Sequence, residues 1–144
     1  MREILFRGLW VHGNNEWIEG DLVRDSEGNP HIVDSEYNEY WDGAPIFVCE
    51  EECMVIPETV GQYTGLTDKN GKKVFEGDIV KVYDNFDCVG ETLYVGKVQW
   101  DDTFLNWELK TGENIVWSLK NLPSVLYYEV IGNVFDNPEL LEVK

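Results

Sequence analysis

Four lysines, Lys69, Lys72, Lys73 and Lys81, fall inside one stretch, Thr59–Val82, of a chain that has only 11 Lys and Arg against 28 Asp and Glu. A cluster of ammonium groups can meet carboxylates on another protein surface. Asp68, Glu76 and Asp78 interleave with these lysines and leave the cluster at +1, so a solvated hairpin tip is the plainer reading. Asp68-Lys69-Asn70-Gly71 has the composition of a calcium loop. An EF-hand needs oxygen ligands at its first, third and fifth positions, Gly at the sixth and Glu at the last. Placing Gly71 sixth puts Leu66 first and Gly77 last, so the calcium reading fails. Asn70-Gly71 is a turn, because Gly tolerates the positive φ that a tight reversal requires.

Other residue types that carry chemistry are sparse in useful patterns. Cys49 and Cys53 are four apart, and zinc sites favour closer pairs with two further ligands. Cys88, His12 and His31 are too distant in sequence to complete such a set without the fold. Small apolar thiols are the preferred reading, and three cysteines fit a reducing compartment. There is no Gly-x-Ser-x-Gly, no His-Glu-x-x-His and no phosphate loop. Carboxylate pairs such as Glu50 with Glu52, and Asp101 with Asp102, are expected by number alone among 28 acids. No cofactor or metal is expected. The acidic loop Asp34–Pro45 carries Tyr37, Tyr40 and Trp41. With Lys69, Lys72 and Lys73 these aromatics make up the candidate interaction surface.

The elements that must position these groups read as β. At 144 residues, 43% hydrophobic and 13% aromatic, the chain can build a real core. Apolar patches separated by turn residues recur along it, at Ile4–Val11, Glu16–Val23, His31–Val33, Thr59–Leu66, Lys72–Phe75, Ile79–Tyr83, Thr92–Trp100, Thr103–Lys110, Ile115–Leu119 and Tyr127–Phe135. Asp34–Pro45 reads as loop, and Asp101-Asp102 as the turn of a hairpin. After Asp136-Asn137, Pro138 suits the first position of a short helix. Gly77-Asp78-Ile79-Val80 followed by Gly96-Lys97-Val98-Gln99-Trp100 is a strand pattern found in small SH3-like barrels. The expected fold is mainly β, with short antiparallel strands, an SH3-like barrel in the C-terminal half and little helix. One domain, 1–144, is expected, with an acidic part at 1–57 and a barrel-like part at 58–144. Glu16–Val23 echoes Lys73–Val80 through a shared Glu-Gly-Asp. A repeat and a reused strand start are both open.

Charge narrows the partners. The net charge is −17, and residues 16–58 hold thirteen acids against Arg24, a net of −12. Phosphate backbones and anionic membranes both call for Lys and Arg, so neither is an expected partner. The first ten residues have no apolar core of signal-peptide length, and no apolar run approaches a membrane span. An intracellular, cytoplasmic protein is expected.

Three blocks carry a family resemblance. They are Met1–Gly8 (MREILFRG), Gln62–Val80 (QYTGLTDKNGKKVFEGDIV) and Glu129–Leu141 (EVIGNVFDNPELL). In this order they resemble the YopX family, proteins encoded by phages and prophages chiefly of Gram-positive bacteria. The resemblance implies a phage or prophage origin and a mainly β, oligomeric protein. It implies no catalytic residues.

The expected function is a non-enzymatic phage accessory protein acting by protein–protein contacts, with homo-oligomers among those contacts. Two alternatives stand beside it. The acidic first third could mimic nucleic acid and occupy a host DNA-binding protein, or a carboxylate pair could serve an enzyme.

Overall fold

A computed structural model describes residues 3–13, 16–33, 39–41, 44–46, 54–84, 92–111, 116–119 and 126–141. The chain forms two compact units, Met1–Tyr63 and Thr64–Lys144. Most of the described residues lie in strands, with short 3-10 turns at Pro57–Thr59 and Pro138–Leu141.

In the first unit, β1 (Phe6–Leu9) pairs antiparallel with β2 (Trp17–Arg24), Phe6 opposite Gly20 and Leu9 opposite Trp17. β2 turns back into β3 (Pro30–Val33), with Arg24 opposite Pro30. On the other side of β1 lies β6 (Gly61–Thr67), where Phe6 faces Gln62. Among the described residues of this unit, Leu9, Ile32, Val55 and Tyr63 are buried apolar side chains. The loop expected over Asp34–Pro45 is in part a hairpin, β4 (Glu39–Trp41) against β5 (Ala44–Ile46). Its strands are three residues each, too short for alternation to show against the acidic background.

In the second unit the rest of β6 is hydrogen-bonded to β7 (Lys73–Phe75). The Thr64 hydroxyl donates to the Val74 carbonyl at 2.8 Å. A five-stranded antiparallel sheet follows: β8 (Asp78–Asp84), β9 (Thr92–Asp101), β10 (Asn106–Thr111), β11 (Val116–Ser118) and β12 (Leu126–Asn133), in the order β11-β10-β9-β8-β12. A meander of four strands with the last strand returning beside the first is the strand order of a small SH3-like barrel. The fold is mainly β with a barrel-like sheet in its C-terminal half, as expected. Val74, Val80, Val82, Val98, Trp107, Leu109, Leu119 and Val130 form its core. Along β9 and β10 they alternate with more exposed residues, as the period of two in a pleated strand requires, while in β8 Ile79 and Tyr83 of the opposite face are buried as well.

Three local readings change. The β9–β10 reversal covers residues 102–105 rather than Asp101-Asp102, so Thr103, Phe104 and Leu105 are turn, not strand. The Asp101 carboxylate causes this, accepting the Thr103 N–H at 3.0 Å and the Phe104 N–H at 3.3 Å. At the C-terminus the expected helix is a single 3-10 turn with Pro138 first. There the Asn137 side chain accepts from the N–H of Asn133. Lastly, the Glu-Gly-Asp echo is not a structural repeat. Glu19-Gly20-Asp21 lies within β2, with Asp21 exposed. Glu76-Gly77-Asp78 is the turn into β8, with Gly77 at φ +88° and a buried Asp78 carboxylate accepting the Phe75 N–H at 2.8 Å.

Candidate functional site

The lysine-bearing turn is built by Asp68. Its Oδ1 accepts the N–H groups of Asn70 and Lys72, both at 2.9 Å. The Asp68 N–H donates to the Lys72 carbonyl, and Gly71, at φ +80°, donates to the Asp68 carbonyl. The same loop occurs at Asp25. Its Oδ1 accepts the N–H groups of Glu27 and Asn29 at 2.9 Å, its N–H donates to the Asn29 carbonyl, and Gly28 stands at φ +87°. The shared sequence, Asp-x-x-Gly-x, is an Asx turn closed by a glycine. It is a better internal likeness than Glu-Gly-Asp.

The two loops differ in the use of the second oxygen. Asp25 Oδ2 lies 3.0 Å from Nε2 of His31, a buried ring 1% exposed. That hydrogen bond, joined by the Asn29 N–H, holds the Asp25 carboxyl down at about 2, although burial pushes the other way. Asp68 Oδ2 instead accepts the backbone N–H of Val130 at 3.0 Å. Lys69 N–H donates to the Tyr128 carbonyl at 3.1 Å, and the Tyr128 hydroxyl to the Thr67 carbonyl at 2.7 Å. The turn is therefore held against β12 rather than waving in solvent.

This docking sets the place of Lys69. Its Nζ lies over the Tyr83 ring, 4.6 Å from the centre, and 3.8 Å from a Glu129 oxygen. The Tyr83 hydroxyl beside it, and then the Glu129 and Asp68 charges, raise the Lys69 ammonium above its ordinary value, against desolvation. Lys81 Nζ lies 5.6 Å from the same ring centre, and the Tyr127 ring meets Tyr83 edge-on at 6.0 Å. Register explains the grouping. Lys81 is opposite Glu129 and Tyr83 opposite Tyr127 in the β8–β12 ladder, so all four lie on the face away from Val80, Val82 and Val130. Lys72 is exposed and Lys73 half-buried in β7. The alternation Lys81-Val82-Tyr83 carries the signal for this face, but its partner strand is more than forty residues on. Tyr37 lies outside the described residues, as do the side chains of Tyr40 and Trp41 and all three cysteines. Among the described residues no three His, Cys, Asp or Glu gather as metal ligands. No described helix is long and apolar enough to cross a membrane.

A second feature stands at the β9–β10 tip. Phe104 is 77% exposed and Leu105 70%. Leu105 has φ +52°, the left-handed region that costs a residue with a Cβ roughly 1–2 kcal/mol. Below the tip, Trp100 and Trp107 pack edge to face with ring centres 5.0 Å apart.

The YopX protein family model matches residues 5–142. No curated protein matches the chain. The crystal structure of protein EF1440 from Enterococcus faecalis is similar in fold, at a TM-score of 0.54 and 23% identity, over 98% of this chain and 99% of that one.

Proposed function

Because the chain belongs to the YopX family, we propose that it is a non-enzymatic accessory protein of phage or prophage origin that acts through protein–protein contacts. The observation that carries this reading is the Phe104-Leu105 tip. Two large apolar side chains are held out on a hairpin that ends in a clamped turn, one of them in an unfavourable backbone conformation. Exposed apolar side chains gathered in one place are a contact signal where scattered ones are not. Local strain at an exposed position is commonly retained for function. The tip needs no cleft, and it offers a partner a ready-made aromatic anchor.

Association between copies belongs to the same reading. The ammonium groups of Lys69, Lys72 and Lys73 complement the net −12 carried by residues 16–58. Light scattering at low and high salt tests it, with a larger mass at low salt expected and a monomer at every salt concentration contradicting it. For the tip, the test is capture of partners from lysogenic host cells by the full chain and by the double variant F104S/L105S. A partner retained by the first and lost by the second supports the reading. Equal recovery by both removes the tip from it.

A further inference from the structure

Lys69, Lys81 and Tyr127 form a second surface over the buried ring of Tyr83, 8% exposed, and share no residue with the β9–β10 tip. Lysines are scarce in this chain, yet two of them share one tyrosine ring, Lys69 at 4.6 Å and Lys81 at 5.6 Å from its centre. Bringing two ammonium groups to one ring costs Coulomb repulsion. The ring's negative face offsets part of it, and Glu129 offsets part of it from 3.8 Å on the Lys69 side. Lys81 has no carboxylate within ion-pair distance among the described residues.

The surface is also fixed in advance. Lys69 sits on a turn tied to β12 by Asp68 and by its own N–H, while Lys81 and Tyr83 lie within the β8–β12 ladder. Little ordering is left for binding to cost. Tyr127, 39% exposed, extends the face with an aromatic ring whose edge meets Tyr83.

We propose that this face docks an acidic peptide segment of a partner protein, with Lys69 and Lys81 each meeting one carboxylate and Tyr127 packing against the peptide between them. Alternate residues of an extended strand place side chains on one face roughly 7 Å apart, and flexible Glu stems adjust that spacing to the two ammoniums. Nucleic acid is the weaker match, since a phosphate backbone is held by many Lys and Arg along its length, whereas an extended peptide needs only two carboxylates placed on the two ammoniums and a side chain against Tyr127. The proposal rests on the reading of the protein as a contact module, and gives one of its surfaces a partner chemistry.

The experiment titrates the full chain with a capped oligo-glutamate peptide, an oligo-lysine peptide of equal length and a single-stranded oligodeoxynucleotide. NMR follows the ring signals of Tyr83 and Tyr127. Saturable oligo-glutamate binding that moves both rings is expected. It should weaken about threefold in K69Q and again in K81Q, the size of one exposed ion pair each. The control K110Q, on exposed Lys110 of β10, should leave it unchanged. Absence of saturation, an equal loss in K110Q, or oligonucleotide binding as tight as oligo-glutamate overturns the proposal. If the peptide fails while F104S/L105S still abolishes partner capture, the docking face falls and the contact module stands.

Discussion

Asp68 and Val130 are 62 residues apart, and the carboxylate of the first accepts the backbone N–H of the second at 3.0 Å in the interior. Among the described residues β12 is an edge strand of its sheet, paired in the ladder with β8 alone. Unpaired edges invite pairing with other chains. Asp68 Oδ2 and the Lys69 N–H occupy two groups of that edge, at Val130 and Tyr128. The turn therefore does two tasks: it protects a strand edge and sets Lys69 on Tyr83.

Replacing Asp68 with Ala removes the acceptor of three backbone N–H groups at once. Buried donors left unpaired are costly, so a loss of about 3 kcal/mol is expected from urea unfolding. Aggregation on storage should rise as well, as the β12 edge opens. A loss under ~0.5 kcal/mol would show that the turn is not anchored as described.

The Asp25–His31 pair gives a pH dependence with a definite sign. The Asp25 carboxyl is held down at about 2, first by the His31 hydrogen bond. A carboxyl depressed on folding stabilises fully above its unfolded value, roughly 4, and loses that contribution as pH falls through the folded value. Acid should therefore weaken the first unit in the window from about 4 down to about 2. In H31Q the Asp25 carboxyl should titrate higher, as followed by its side-chain carbon signal. An unchanged titration would contradict the assigned cause.

Gly96 has a spatial role. A Cβ there would lie 2.7 Å from the Lys110 carbonyl oxygen and 2.9 Å from Leu109 Cγ. The obstacle includes backbone of the paired strand, which has little room to move. G96A should cost about 2–3 kcal/mol in thermal or urea unfolding. G28A offers a comparison, since nothing lies within 4 Å of its Cβ and only the φ of +87° opposes it. Its cost should stay near ~1 kcal/mol.

Much of the strand order is legible in the sequence, because turn residues mark the reversals. Gly28, Gly71 and Gly77 punctuate the chain, and all three have positive φ. The alternation Lys81-Val82-Tyr83 separates an inner from an outer face. What local reading misses depends on distant partners. Nothing near Asp68 announces Val130, and nothing near Tyr83 announces Tyr127. Phe104-Leu105 misleads in the opposite way. Their apolar character reads as strand, and the Asp101 carboxylate that folds 102–105 into a turn acts through two N–H groups that a pattern of side chains does not reveal. Lys69 emerged from the residue types alone, and its ring partner required the ladder.

Leu105 separates stability from function. L105G should remove strain of about 1 kcal/mol, less the entropy Gly adds to the unfolded chain. Stability should hold or rise slightly, while partner capture falls. A marked loss of stability would contradict the strain seen at φ +52°.

The most direct measurement compares partner capture by the full chain with capture by F104S/L105S, after circular dichroism and thermal unfolding establish that the variant keeps its fold. Both side chains are largely exposed, so a change in stability within about 0.5 kcal/mol is expected. A protein partner held by the unaltered tip and lost from the variant is expected. The same partner recovered equally by both would contradict it.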